Sequence, residues 1–508
     1  MKENTNSEKI ILGMSVAHHD GSMCILKGGK IVAAIEVERL SKKKKEPLRD
    51  NNFSLLLEYI LDAAEVKWED IDYVAHGCSP EYPDLNNVEF ALDWVMGGSK
   101  LPPKPIYTVP HHLSHASATY FTSPFTDSVF LTLDGSEGDC EYFFHNSLIG
   151  WGNHHLLQAD RMIPSGFSIY YQRVCEYLGL GDPLHKVGTL MGLASYGTIL
   201  DSYVDLPATV KKTNLIKENF SGAADVAATA QKVLEERILY FIKNDISSPG
   251  LNRDQYESTN LCLGGGTFYN CPTNSRILKE TKFKNIHHFP ACGDSGIGIG
   301  AALYVAHAIL DQPRYQYKPH EICYLGKDYK LKKEIDYEYI ARRISEGAVV
   351  AWMNGRSEFG PRALGNRSLL ADPRNQYNRD RLNHVIKQRE WYRPFAPIVL
   401  EECYQDWFDF DISSPFMLYT AQVKQREKVP AITHVDGSAR FQTVTEESNL
   451  HIYKLIKEFE KITNVPMLIN TSLNGKGQPI LETPEDGVDF FNNNPVNMAV
   501  IHGEIMEK

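Results

Sequence analysis

His111 and His115 stand four residues apart, a spacing that on a helix stacks two imidazoles on one face. Imidazoles so placed can ligate one metal ion; the alternative is a polar helix face shared with His112 and Ser114. Asp134 closes an apolar run at Asp134-Gly135-Ser136, and Asp294 lies in the glycine-flanked turn Cys292-Gly293-Asp294-Ser295-Gly296. Two imidazoles with two carboxylates suit Fe(II), Mn(II) or Zn(II).

A second group of residues points to anion chemistry. Arg362, Lys387, Arg389, Arg393 and Arg440 fall near two glycine- and proline-rich blocks, and Ser472 and Asn474 follow an apolar strand at Met467–Ile469. Arginine grips phosphate through paired N–H groups, whereas lysine acts as a point charge. The hydroxyl and amide of Ser472 and Asn474 add contacts suited to the same anion. The alternative is a set of ordinary ion pairs with Glu358, Glu390 and Asp372. Five cations around two rigid turns favour the anion site.

These residues need elements to hold them. Ile10–Ser15, Met23–Leu26 and Ile31–Glu36 read as strands, the last two joined by the turn Lys27-Gly28-Gly29-Lys30. Ser128–Leu133 and Leu261–Leu263 are further strands, the second leading into Gly264-Gly265-Gly266, where backbone amides can approach an anion. Two strand-then-turn units of this kind predict a duplicated, actin-like or ribonuclease-H-like α/β domain over 1–320. Composition shifts to Pro, Tyr and Lys between Gln312 and Tyr329, which places a boundary there. A helix at Glu334–Glu346 and a strand at Ala348–Met353 open a second α/β domain over 330–508. Lys42–Lys45 is the one charge run, read as a solvated loop.

With 508 residues, 43% apolar and 23% charged, the chain is an ordinary folded protein of more than one domain. Its net charge of −11 and pI near 5.9 disfavour nucleic acid, whose binding rests largely on neutralising phosphates. No apolar run reaches the roughly 18 residues of a membrane span. Nine cysteines without a CxxC pair suit reduced thiols, so a cytoplasmic location is expected.

The ordered blocks His111-His112-Leu113-Ser114-His115, Asp134-Gly135, Met191–Gly197, Gly264–Asn270 and Phe289–Gly296 resemble the N-terminal half of the NodU/CmcH carbamoyltransferases. Glu358–Ser368, Ala371–Arg374, Arg389-Glu390 with Arg393–Pro397, and Asn470–Gly475 resemble its C-terminal half. The resemblance covers nearly the whole chain in order. It implies a C-terminal YrdC-like domain that makes carbamoyl adenylate from carbamoyl phosphate and ATP, using Lys387, Arg389, Ser472 and Asn474 with Arg362, Arg393 and Arg440. It also implies an N-terminal domain like the transferase that completes threonylcarbamoyl-adenosine in tRNA. There His111, His115, Asp134 and Asp294 would hold a metal, commonly iron, with Mg(II) accompanying ATP. Gly265, Gly266 and Asn270 would hold the nucleoside end. Thr267-Phe268-Tyr269 departs from the small aliphatic stretch usual in the family, and Ala17 stands where some members place an acid.

For the acceptor, His19 in His18-His19-Asp20 is the candidate general base, since histidine titrates near neutral pH; the alternative is a hydrogen bond within the turn. Lys44 falls where the family places an acceptor-side lysine. The expected acceptor is a small molecule bearing a hydroxyl, less readily an amine, and a homodimer is left open. Two other classes stand beside this one, an actin-like small-molecule kinase and a tRNA-modifying enzyme using the same intermediate.

Overall fold

The computed structural model describes residues 8–78, 101–135, 147–162, 166–200, 213–244, 246 and 258–508. Strands β1 (Ile10–Val16), β2 (Ser22–Lys27) and β3 (Lys30–Glu36) form an antiparallel meander. Gly28 and Gly29, at φ 57° and 80°, make the two-residue turn whose twist matches the flanking strands. Strands β4 (Tyr73–Cys78) and β5 (Ile106–Pro110) then add in parallel beside β1, giving the order β3-β2-β1-β4-β5.

The same pattern occurs again. Strands β6 (Asp127–Leu133), β7 (Ser147–Asn153) and β8 (Leu156–Met162) form a meander, and β9 (Asn260–Gly264) and β10 (Asn285–His288) add in parallel beside β6. Two helices lie between these matching sheets, His111–Phe121 and Ile297–Tyr304, and they pack directly on one another. A Cβ at Gly300 would collide with the Ser114 carbonyl, so glycine is what lets the backbones approach so closely.

The remaining strands form a seven-stranded mixed sheet and a small three-stranded one. In the large sheet β11 (Val350–Met353) and β12 (Arg367–Ala371) are central. Next along the chain come β13 (Ala396–Leu400), the small-sheet strands β14 (Phe408–Asp409), β15 (Thr420–Val423) and β16 (Ser438–Arg440), and then β17 (Gln442–Val444). The large sheet is completed by β18 (Met467–Ser472), β19 (Met498–Ile501) and β20 (Glu504–Glu507). The strand expected at Met467–Ile469 thus runs on to Ser472, because Ser472 still pairs with Ser368 across the ladder. The helix expected from Glu334 starts instead at Tyr337, where the Asp336 side chain accepts the Tyr339 amide at 2.9 Å and caps it.

The proline- and tyrosine-rich boundary segment is tied to both sides. Arg314 donates to the carbonyls of Tyr120, Ser123 and Phe125, while Tyr324 bridges to Glu358. A fully buried Arg39 makes the strongest tie. Its Nε donates to Glu36 Oε2 at 2.9 Å and its Nη2 to the Gly360 carbonyl at 2.5 Å. Arg356 reaches the other way, donating to the Val32 carbonyl at 2.6 Å. The loop 358–367 is therefore clipped to β3.

Burial raises the Glu36 pKa to about 7 and Arg39 opposes the shift, so the pair is held by mutual compensation. Removing one member of a buried pair costs about 3–5 kcal/mol, because the other charge is left unpaired. Arg39→Met should therefore lower the apparent melting temperature by about 5 °C or more, and adding Glu36→Leu should recover most of the loss. Differential scanning calorimetry on both variants checks this. An unchanged midpoint in Arg39→Met would contradict it.

Candidate functional site

The helix His111–Phe121 begins directly at the end of β5, and the two histidines stand one turn apart on one face at its start. His112 pins the helix to β6, its Nδ1 lying 2.9 Å from Thr132 Oγ1. That orientation turns His111 and His115 toward Asp134, just past the end of β6. His115 Nε2 lies 3.1 Å from His111 Nε2, 2.9 Å from Asp134 Oδ2 and 3.5 Å from Asp294 Oδ1. One donor atom from each of the four residues falls within 4.8 Å of the others. Burial disfavours the charged imidazole of His115, but Asp134 and Asp294 outweigh this and push its pKa up to about 9. Burial raises the Asp134 pKa and the two histidines override it, holding the carboxylate well below its usual range. Two imidazole nitrogens aimed at one another across two carboxylates form a donor set that fits a divalent transition metal.

His19 lies beside this group. Its Nδ1 is 2.9 Å from Asp20 Oδ2 and 3.7 Å from Asp294 Oδ2. Asp20, at φ 54°, also accepts Lys45 Nζ at 2.6 Å. The lysine run is thus more than a solvated loop: Lys45 is engaged with Asp20, and Lys42 reaches Asp486. Burial lowers the Lys44 pKa; Glu38 opposes this, and Arg393, Lys45 and Lys186 add to it. Lys44 therefore shares an electrostatic neighbourhood with the C-terminal cations.

Those cations converge. Lys387 Nζ donates to the Ser472 carbonyl, to Ser472 Oγ at 3.3 Å, to the Asn474 carbonyl at 3.1 Å and to Asn474 Oδ1. Burial, then Arg389, Lys44 and Arg393, hold its pKa well below that of a free lysine. Arg389 lies with its guanidinium 4.4 Å from the centre of the Phe395 ring and donates to Asn383 Oδ1 at 2.7 Å. Burial, Arg393 and Arg440 depress it in turn. Burial, Arg362 and Arg393 bring Arg440 down to about 9, with Cys271 opposing. Glu390 is the carboxylate nearest this group, 3.7 Å from Arg393, and it is also bound by Lys186 at 2.5 Å. Glu358 accepts the backbone amides of Leu364, Asn366 and Arg367, and Asp372 pairs with Arg374, so neither neutralises the cluster. The Nε atoms of Arg362 and Arg440 are buried with no hydrogen-bond partner among the described residues. Guanidinium groups so placed suit phosphate oxygens.

Gly265, at φ 94°, donates its amide to the Cys292 carbonyl at 2.7 Å, and a Cβ there would collide with Leu133. A Cβ on Gly266 would lie 3.1 Å from Asp134 Oδ1, so this turn passes directly over the metal-type group. The Asn270 amide exchanges hydrogen bonds with Gln231 and caps the helix Cys271–Glu280. Sequence reasoning did not single out Asp20, Lys45, Arg39 or Tyr269. The Tyr269 hydroxyl accepts the Gly293 amide at 3.2 Å, and its ring centre is 5.7 Å from the Arg362 guanidinium. The one signal for Tyr269 was its departure from the aliphatic pattern.

Supplied with Fe(II), Mn(II) or Zn(II), the full chain is expected to hold about one ion, and His115→Ala should lose most of it by elemental analysis. Equal stoichiometry in the two proteins would contradict the assignment.

Comparison with known proteins finds a family match in both halves. Residues 341–508 match the family model described as carbamoyltransferase C-terminus, and residues 86–221 and 207–303 match the one described as carbamoyltransferase N-terminus. The chain is 32% identical to nodulation protein NolNO of Sinorhizobium fredii, over 96% of this chain and 79% of that one. It is 27% identical to the 3'-hydroxymethylcephem-O-carbamoyltransferase of Amycolatopsis lactamdurans, over 95% and 96%. Nodulation protein U of Azorhizobium caulinodans is 28% identical, over 91% and 92%. With both family halves in order, and each candidate group in the half expected to carry it, the chain belongs to the NodU/CmcH-like carbamoyltransferases and is an enzyme of that family.

Proposed function

We propose that this carbamoyltransferase works in two steps at two sites, activating the carbamoyl group as carbamoyl adenylate and then passing it to a hydroxyl of a small-molecule acceptor in a biosynthetic pathway. The observation that carries the reading is the separation of two chemically distinct groups within one chain. Cations suited to phosphates gather in the C-terminal half, from Arg362 onward, and an imidazole–carboxylate group with an adjacent histidine lies among the first two sheets. In this reading the two matching five-stranded sheets are a duplicated actin-like domain and the seven-stranded sheet is a YrdC-like domain.

The first step consumes carbamoyl phosphate, ATP and one water, and yields carbamoyl adenylate, phosphate and pyrophosphate. Lys387, Arg389, Arg393, Arg440 and Arg362 neutralise the phosphates. Ser472 and Asn474 hold the Lys387 ammonium in place, and Lys44 extends the positive field toward the N-terminal half. Mg(II) accompanies ATP. The turn at Gly265 and Gly266, set by the Asn270 cap, receives the nucleoside end.

In the second step the acceptor oxygen bonds to the carbamoyl carbon, the bond to the adenylate phosphate breaks, and AMP leaves. His19 takes the hydroxyl proton, with Asp20 orienting its ring through Nδ1. His111, His115, Asp134 and Asp294 would hold a divalent metal, iron in this reading, which when bound supplies Lewis acidity at the carbonyl oxygen. Support for a cytoplasmic setting comes from the free, mostly buried cysteines and from the absence, among the described residues, of a helix long and apolar enough to cross a membrane. The acidic net charge supports a small-molecule acceptor over a nucleic acid.

Separation of the steps is testable. Lys387→Ala should abolish carbamoyl-phosphate-dependent pyrophosphate release in a coupled assay, while His19→Ala should leave the first-turnover release largely intact. Transfer in His19→Ala should fall by about a hundred- to ten-thousand-fold, read by mass spectrometry of candidate acceptors. Equal suppression of pyrophosphate release by both variants would contradict two sites.

A further inference from the structure

Tyr269 stands between the Asp294 turn and Arg362, and neither step assigns it a role. It ends the single turn Gly266–Tyr269 that follows β9 and begins over Asp134. Its hydroxyl accepts the amide of Gly293, the residue before Asp294, at 3.2 Å. A Cβ on Gly293 would lie 3.0 Å from the ring, so the glycine is what lets the ring lie flat against this turn. On the other side the Arg362 guanidinium stands 5.7 Å from the ring centre, within cation–π range.

The opposite wall comes from the loop that carries Arg362. Gly360 packs against Pro290 and Ala291, its Cβ position 3.3 Å from the Ala291 Cβ and from the Pro290 carbonyl oxygen. The buried Cys292 thiol, one residue further on, feels both the Asp134 carboxylate and the Arg362 guanidinium. The Tyr269 ring thus touches the Asp294 turn on one side and faces Arg362 on the other. The ring also packs against two of the hydrophobic cores, one filling the space between the first two sheets and one on the other face of the second sheet, which fixes its position from both sides.

We propose that Tyr269 is a positioning residue whose ring forms the partition between the cation cluster and the metal-type group, and that it limits access of water to the activated carbamoyl group. The proposal rests on the carbamoyl-adenylate reading. An activated acyl phosphate is lost to hydrolysis when water reaches its carbonyl carbon: water oxygen bonds to carbon, AMP leaves, and carbamate is released. A ring held by one hydrogen bond and two cores stands in the way of that approach. The ring rather than the hydroxyl supplies the bulk, so its loss should show as wasted turnover.

The experiment is acceptor-free turnover of the full chain with ATP and carbamoyl phosphate, followed by rapid-quench measurement of pyrophosphate. The unaltered protein should give a burst of about one pyrophosphate per site and then a slow steady rate, since turnover without an acceptor requires hydrolysis of the intermediate. Tyr269→Ala should keep the burst amplitude and raise the steady rate by about ten-fold or more, whereas Tyr269→Phe should stay within about two-fold of the unaltered protein. If Tyr269→Ala does not fold, as judged by its melting curve, Tyr269→Leu serves in its place with a smaller increase in the same direction. A merely structural role would lower burst and steady rate together. An intact burst with an unchanged steady rate in the folded Ala or Leu variant would overturn the partition. Absence of any pyrophosphate burst in the unaltered protein would instead overturn the adenylate reading, and the proposal with it.

Discussion

The close packing of Gly360 on Pro290 and Ala291 joins the two segments that carry the chemical groups of this enzyme. Gly360 belongs to the loop that carries Arg362, and Ala291 to the turn that carries Asp294. The contact is enforced from behind by a buried charge, because the Arg39 guanidinium bonds the Gly360 carbonyl while paired with Glu36. Loosening that pair would cost a desolvated charge rather than a surface contact, which makes it an expensive place to open. The rest of the site inherits its geometry from there.

Charge explains why the two groups occupy different halves. Lys387, Arg389 and Arg440 are all depressed by burial and by neighbouring cations, Arg393 among them in each case. In the proposed first step a bound phosphate would relieve the strain of gathering them, so an arrangement costly in the free protein suits an anionic ligand. Close to such a cluster the imidazole–carboxylate group would see its carboxylates drawn into ion pairs. Placing Tyr269 and the turn 290–294 in between lets Asp134 and Asp294 face their histidines.

The placement of several candidate side chains was legible from residue types and spacing. The histidine pair four apart lies on a helix as its spacing requires, and Lys387 meets Ser472 and Asn474. Strand positions followed from apolar runs ending in glycine turns, and the duplicated order emerged once pairing was known. What escaped was long-range pairing. Asp20 and Lys45 are 25 residues apart and Arg39 and Gly360 are 321 apart, and no local pattern encodes such partners. Asn270 shows the converse limit, since its type suited a ligand contact but its amide bonds Gln231 and caps a helix. Ser136 and its neighbours through residue 146 lie outside the described residues, so the turn expected there is seen only as far as Gly135.

The central claim is that the carbamoyl group is activated as an adenylate before any acceptor takes part. Exchange of labelled pyrophosphate into ATP tests it most directly, run with carbamoyl phosphate and without acceptor. Label is expected in ATP only with carbamoyl phosphate present, and it should disappear in Lys387→Ala. Active protein that shows no exchange, and converts ATP to ADP rather than AMP, would contradict it and point to phosphoryl transfer instead.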